Sequence, residues 1–185
     1  MTEKQAIHNE LLVLRCQRGQ KEAWQELVGD WEERLFYYIR RLIDDEQEAW
    51  QVLQETWVKV LRGLKKLRES RKLPSWLYSI ARNTAISHLR TKYAVQALLQ
   101  ERANLSGGAG DMSSLAFEDA EQVHYGLGQI SLHHREVLTL FFLQDLRLEE
   151  IAAVLGIPVG TVKSRLNYAK RALKAVLEKE AGSYE

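Results

Sequence analysis

The stretch that most constrains this chain runs from Leu148 to Leu173 and reads LEEIAAVLGIPVGTVKSRLNYAKRAL. Ile151, Ala152 and Leu155 put apolar groups on one face of a short helix. Gly156 follows directly, where a helix end favours a left-handed backbone that glycine adopts without steric cost. Ile157 is placed to plug the core, and Pro158 suits the first turn of a second helix. Val162, Leu166, Ala169, Leu173 and Val176 then recur at 4-3-4-3 spacing as that helix's buried stripe. The small Ala152 lets the two helices cross closely. Together these features predict a helix-turn-helix, whose second helix fits the DNA major groove.

The opposite face of the second helix carries the chemistry. Ser164 and Asn167 can hydrogen-bond base edges, and Tyr168 can meet a thymine methyl or a phosphate. Thr161, Lys163, Arg165, Lys170 and Arg171 suit phosphate contacts. A helical hairpin with a solvated basic face would look similar. The Gly156/Pro158 punctuation and the absence of any acid between Gly160 and Val176 favour DNA. A helix-turn-helix alone names no function, because many regulators carry one.

The net charge of +1 conceals a second basic segment. Residues 59–93 hold ten Lys/Arg and a single acid, Glu69, whereas residues 1–58 hold seven cations against twelve acids. Such patches are the footprint of phosphate binding. Elsewhere the chain reads as helices. Residues 8–28 show helical spacing broken at Gly19, and Trp31, Leu35, Tyr38, Ile39 and Leu42 continue it. Asp44 and Asp45 read as a turn and helix N-cap. The next helix, from about Glu46 to Leu64, places Ala49, Leu53, Trp57, Val60, Leu61 and Leu64 on one side. Gly63 to Leu73 reads as a basic loop, and Pro74 opens a helix through Leu77, Ile80, Ile86 and Leu89. The pattern decays after Tyr93, and NLSGGAGDMSS at 104–114 has linker composition. The expected fold is all-α: a domain at 8–93, a flexible linker at 94–119 and a domain at 120–180.

With no run of about 18 apolar residues, no membrane span is expected. Nor does the polar N-terminus carry a signal-peptide core. One cysteine, Cys16, allows neither an intrachain disulfide nor a Cys-rich zinc site. A cytoplasmic protein without metal or cofactor, and without a C-terminal extension domain, is expected. Five scattered histidines lack a metal-ligand partner four residues on. No Gly-rich phosphate loop or nucleophile elbow appears, which argues against an enzyme.

At this point a family resemblance enters. Residues 130–177 resemble sigma region 4, with GTVKSRL at 160–166 very close to the pattern of the extracytoplasmic-function (ECF) group. Residues 24–93 resemble sigma region 2, through VLQETWVKVL at 52–61 and LPSWLYSIARNTAISHLR at 73–90. The resemblance implies a transcription initiation factor that binds core RNA polymerase, recognises promoter −35 and −10 elements and promotes melting. It implies docking of the polymerase clamp coiled coil on Gln54, Glu55, Val58, Lys59 and Arg62. It implies −10 contacts by Lys65, Lys66, Arg68, Arg71, Lys72, Arg82, Asn83, Thr84, Ser87, His88 and Arg90, with Asn83, Thr84, Ser87 and His88 on one face. An anti-sigma factor is the further implied partner. Two positions depart from the family: Gln51 replaces an acid, and Phe141 stands where a DNA-contacting Arg is common, with Arg147 as a compensating phosphate contact. The rival reading is a stand-alone regulator whose N-terminal helices dimerise or bind a ligand. Ten cations with one acid at 59–93 argue against it.

Overall fold

The computed structural model describes residues 3–103 and 126–181, with side chains described at 3–96 and 126–179. Every regular element among these is helical. The first domain comprises α1 (Glu3–Gln17), α2 (Lys21–Arg40), α3 (Glu46–Gly63) and α4 (Leu73–Ala103). The second comprises α5 (Leu132–Leu138), a π-helical turn (Thr139–Leu143), α6 (Leu148–Leu155) and α7 (Val159–Ala181).

Local chemistry sets most boundaries. Gly19 has φ +81° and separates α1 from α2. Asp45 caps α3 by accepting the Glu48 N–H at 2.8 Å. Pro74 lies in the first turn of α4, where its missing N–H costs nothing. Gly156, at φ +66°, ends α6, and the Pro158 carbonyl opens α7 by accepting from Val162 N–H. At the start of α6 the Glu150 carboxylate accepts the Arg147 N–H at 2.8 Å.

Two expectations are revised. Helix α4 continues ten residues past Tyr93, to Ala103. Residues 94–103 are good helix formers, so the apolar period fades there because Tyr93, Ala94 and Val95 are exposed and not because the helix ends. The rest of the expected linker, and residues 120–125, lie outside the described residues. Residues 64–72, expected as loop, form two short 3₁₀ turns, Leu64–Lys66 and Ser70–Lys72. Gln17 on α1 holds this segment by donating to the Leu64 and Leu67 carbonyls at 3.0 and 2.9 Å.

The first core gathers Leu12, Leu27, Trp31, Leu35, Tyr38, Leu53, Val60, Leu77 and Tyr78. The second gathers Val137, Leu140, Ile151, Leu155, Val162, Leu166 and Ala169. The two domains are in contact, α6 packing on α4.

Candidate nucleic-acid interface

The helix-turn-helix presents the residues its sequence assigned. Val162, Leu166 and Ala169 are buried, while Lys163, Ser164, Asn167, Tyr168, Lys170 and Arg171 are exposed on α7. Thr161 and Arg165 are half-buried at the edge of that face, and Arg147 is exposed beside α6. The Ser164 hydroxyl lies 3.2 Å from the Gly160 carbonyl and 3.1 Å from that of Thr161. Its proton therefore stays on the helix, and its lone pairs remain available as acceptors. Phe141 is not an open surface position. It is half-buried against the core and edge-on to Phe142, with ring centroids 4.9 Å apart.

In the first domain the 3₁₀ segment and α4 enclose an open pocket of about 620 Å³. Lys59, Lys66, Arg68 and Lys72 ring it, and Trp76, Ile80 and Asn83 form its wall. The Trp76 indole rests on Gly63. A Cβ there would come within 2.9 Å of the ring, so only glycine lets the wall stand this close. Trp76, whose period suits the core, thus serves both core and pocket. Lys65 is exposed nearby, Arg71 is paired with Glu10, and Lys72 with Glu69 at 2.9 Å.

The α4 quartet does not share one open face. Asn83 and Ser87 are exposed, as is Arg90. Thr84 is buried: its hydroxyl donates to the Ile80 carbonyl at 2.8 Å and accepts from Lys59 Nζ at 3.0 Å. His88 is half-buried, its Nε2 3.1 Å from Glu48, which also takes Lys92 at 2.8 Å. The Lys92 hydrogen bond holds the Glu48 carboxyl below its ordinary pKa, against a smaller opposing effect of burial. Arg82 is turned to the second domain, 2.6 Å from Glu136.

On α3, Gln54, Glu55, Val58, Lys59 and Arg62 are exposed. Lys59 nevertheless turns its ammonium to Thr84 and the pocket. Leu61, read as a core position, is instead 52% exposed, and Trp50 is exposed while stacked on Phe36 at 4.0 Å. Trp50, Gln54, Val58 and Leu61 form one apolar-rich outer face of α3. Periodicity missed it because an exposed leucine one position from Val60 fits either side of the stripe. Gln51, also exposed, lies beside this face.

With this geometry in place, comparison with known proteins is decisive. The Sigma-70 region 2 profile matches residues 27–94, and the Sigma-70 region 4 profile matches residues 126–175. The chain belongs to the ECF group of the sigma-70 family. It is 33% identical over 178 residues to the RNA polymerase sigma-H factor of Pseudomonas aeruginosa, covering 90% of this chain and 92% of that one. It is 29% identical over 178 residues to the ECF RNA polymerase sigma-E factor of Escherichia coli K12, covering 90% and 93%. Two solved structures share the fold. CnrH, in complex with the cytosolic domain of CnrY, has TM-score 0.71 at 24% identity, covering 92% of this chain and 97% of that one. The sigma factor RpoE from Bartonella quintana, in complex with the anti-sigma factor NepR, has TM-score 0.69 at 21% identity, covering 84% and 96%. As an ECF sigma factor the protein is a transcription initiation factor and not an enzyme. Among the described residues no helix is long and apolar enough to cross a membrane, and no His/Cys/Asp/Glu cluster could hold a metal ion.

Proposed function

We propose that this sigma factor docks on the clamp coiled coil of core RNA polymerase through the outer face of α3. In this reading it recognises a −35 element with α7, and captures and melts a −10 element at the pocket between the 3₁₀ segment and α4. The observation that carries the reading is that pocket. Four cations surround a cavity walled by an indole and an amide. Melting requires unpaired bases to be held as they leave the stack, and such a cavity offers phosphate contacts, a π-surface and a hydrogen-bonding edge together. Lys65, Lys66, Arg68, Arg71 and Lys72 hold the strand, and Asn83, Ser87 and Arg90 extend the contact along α4. His88 and Thr84 act on the strand only if their present partners are released.

On α7, Ser164, Asn167 and Tyr168 read bases. Thr161, Lys163, Arg165, Lys170 and Arg171, with Arg147, hold the backbone. On α3, Gln54, Glu55, Val58 and Arg62 with Leu61 present the mixed apolar and charged surface that helix-to-helix docking needs. An anti-sigma factor is the proposed regulatory partner, masking these polymerase-binding surfaces. The test is run-off transcription with purified core polymerase on a promoter library. Specific initiation that depends on this chain is expected. Tight binding to duplex DNA with no association with polymerase overturns the reading in favour of a stand-alone regulator.

A further inference from the structure

The contact between the two domains is polar at its heart. Glu136 of α5 is fully buried, and its carboxylate accepts from Arg82 of α4 at 2.6 and 3.4 Å. The neighbouring Tyr78 hydroxyl, also on α4, donates to the side-chain oxygen of the buried Gln144. Tyr38 of α2 lies within the same field. Its hydroxyl is buried without a hydrogen-bond partner, and its ring meets that of Tyr78 edge-on with centroids 5.3 Å apart. Arg34 of α2 also interacts with Tyr78. The first domain therefore contributes a guanidinium and two phenols, with a second guanidinium close by. Among the described residues, the carboxylate paired with this set, that of Glu136, comes from the other domain.

A cluster built of donors selects an acceptor-only ligand, a carboxylate or a phosphate. In the closed arrangement Glu136 fills that place. Arg82 directly precedes Asn83, which walls the proposed base pocket, although the two side chains leave α4 about 100° apart. The interface is also not fully satisfied: besides Tyr38 Oη, the Nε atoms of Arg41 and Arg135 are buried without partners where α5 meets the end of α2. Buried polar groups left unpaired weaken an interface, so this one is suited to open.

We propose that Tyr38, Tyr78 and Arg82 form an anion site that takes a backbone phosphate of the −10 strand, and that Glu136 is its intramolecular competitor in the closed form. Closure thus withdraws one cation from DNA until the domains part. This rests on the −10 reading above, and the test separates the two.

The probe is a fluorescein-labelled, mixed-sequence 12-nucleotide single strand, titrated by anisotropy against the full chain across a salt series. Glu136→Gln binds at least about fivefold tighter than wild type, a coupling of ordinary size between two states. Its slope of log affinity against log salt steepens by about 0.7, one added phosphate contact on a single strand. Gln144→Ala, which loosens the same interface without touching Glu136, shifts affinity in the same direction. In an Arg82→Gln background, Glu136→Gln gives no gain. If Glu136→Gln and Gln144→Ala leave both affinity and slope unchanged, or if the gain survives without Arg82, the competitor role is overturned. Replacing Lys65, Lys66 and Arg68 with Ala in the Glu136→Gln chain weakens binding sharply. If it does not, the −10 reading itself fails, whatever Arg82 does.

Discussion

Val60 and Leu61 are adjacent on α3, yet they answer to different surroundings. Val60 is fully buried, whereas Leu61 is 52% exposed beside Val58. Leu61→Ala removes three carbons whose complete burial is worth about 0.8 kcal/mol each. Roughly half of that surface still faces water in the free protein, so docking against polymerase can recover about 1.2 kcal/mol from it. Losing this corresponds to roughly sevenfold weaker binding to core polymerase. By the same arithmetic the folded chain itself should lose about 1.2 kcal/mol, from the half of the side chain that the fold already covers. Val60→Ala puts the whole loss on the fold: about 2–3 kcal/mol of stability goes with the cavity, and polymerase affinity at saturating folded protein is nearly unchanged. Urea denaturation reads the first quantity, and anisotropy of labelled sigma factor titrated with core enzyme reads the second. The reasoning is refuted if Leu61→Ala binds polymerase like wild type, or if it destabilises the fold as much as Val60→Ala.

Further expectations address DNA recognition, melting and the stability of the fold. Asn167→Ala should cost about 1–3 kcal/mol of discrimination at one −35 position in a promoter library, whereas Lys163→Ala should weaken all sequences alike and reduce the salt slope on duplex DNA by about 0.9. Replacing Lys65, Lys66 and Arg68 with Ala should slow open-complex formation, read by permanganate reactivity, far more than it weakens polymerase binding; equal losses would dissolve the division between docking helix and melting pocket. Gly156→Ala should destabilise by about 1–2 kcal/mol in chemical denaturation, entirely from the left-handed backbone, since nothing lies within 4 Å of the added Cβ. Glu48, its carboxyl pKa lowered from 4.5 chiefly by Lys92, stabilises the fold fully above that pH and loses the contribution as pH falls through the depressed value. The stability gap between wild type and Glu48→Gln should therefore close in acid; a gap that persists unchanged at pH 2 would count against the pairing.

Whatever a few neighbouring residues settle was legible from the chain alone. Gly156 and Pro158 fix the helix-turn-helix because backbone sterics act over one turn, and the 4-3-4-3 stripe on α7 leaves Lys163, Ser164, Asn167 and Tyr168 outside whatever covers the other side. Asp45 was legible as a cap for the same reason. The cationic bias of 59–93 was legible because charge counting needs no fold. Tertiary structure decided how those cations are used. Thr84 and Asn83 are adjacent in the chain, but Lys59 crosses from α3 to cover one and leaves the other on the pocket wall. Leu61 and Val60 differ only in which side of α3 the first domain's core occupies. Arg82 reads as a free phosphate contact until a carboxylate 54 positions further along reaches it from the second domain. Periodicity reports which face of a helix is apolar. It carries no information on which other helix arrives there, because that contact costs loop entropy over dozens of residues and is settled by packing across the whole chain.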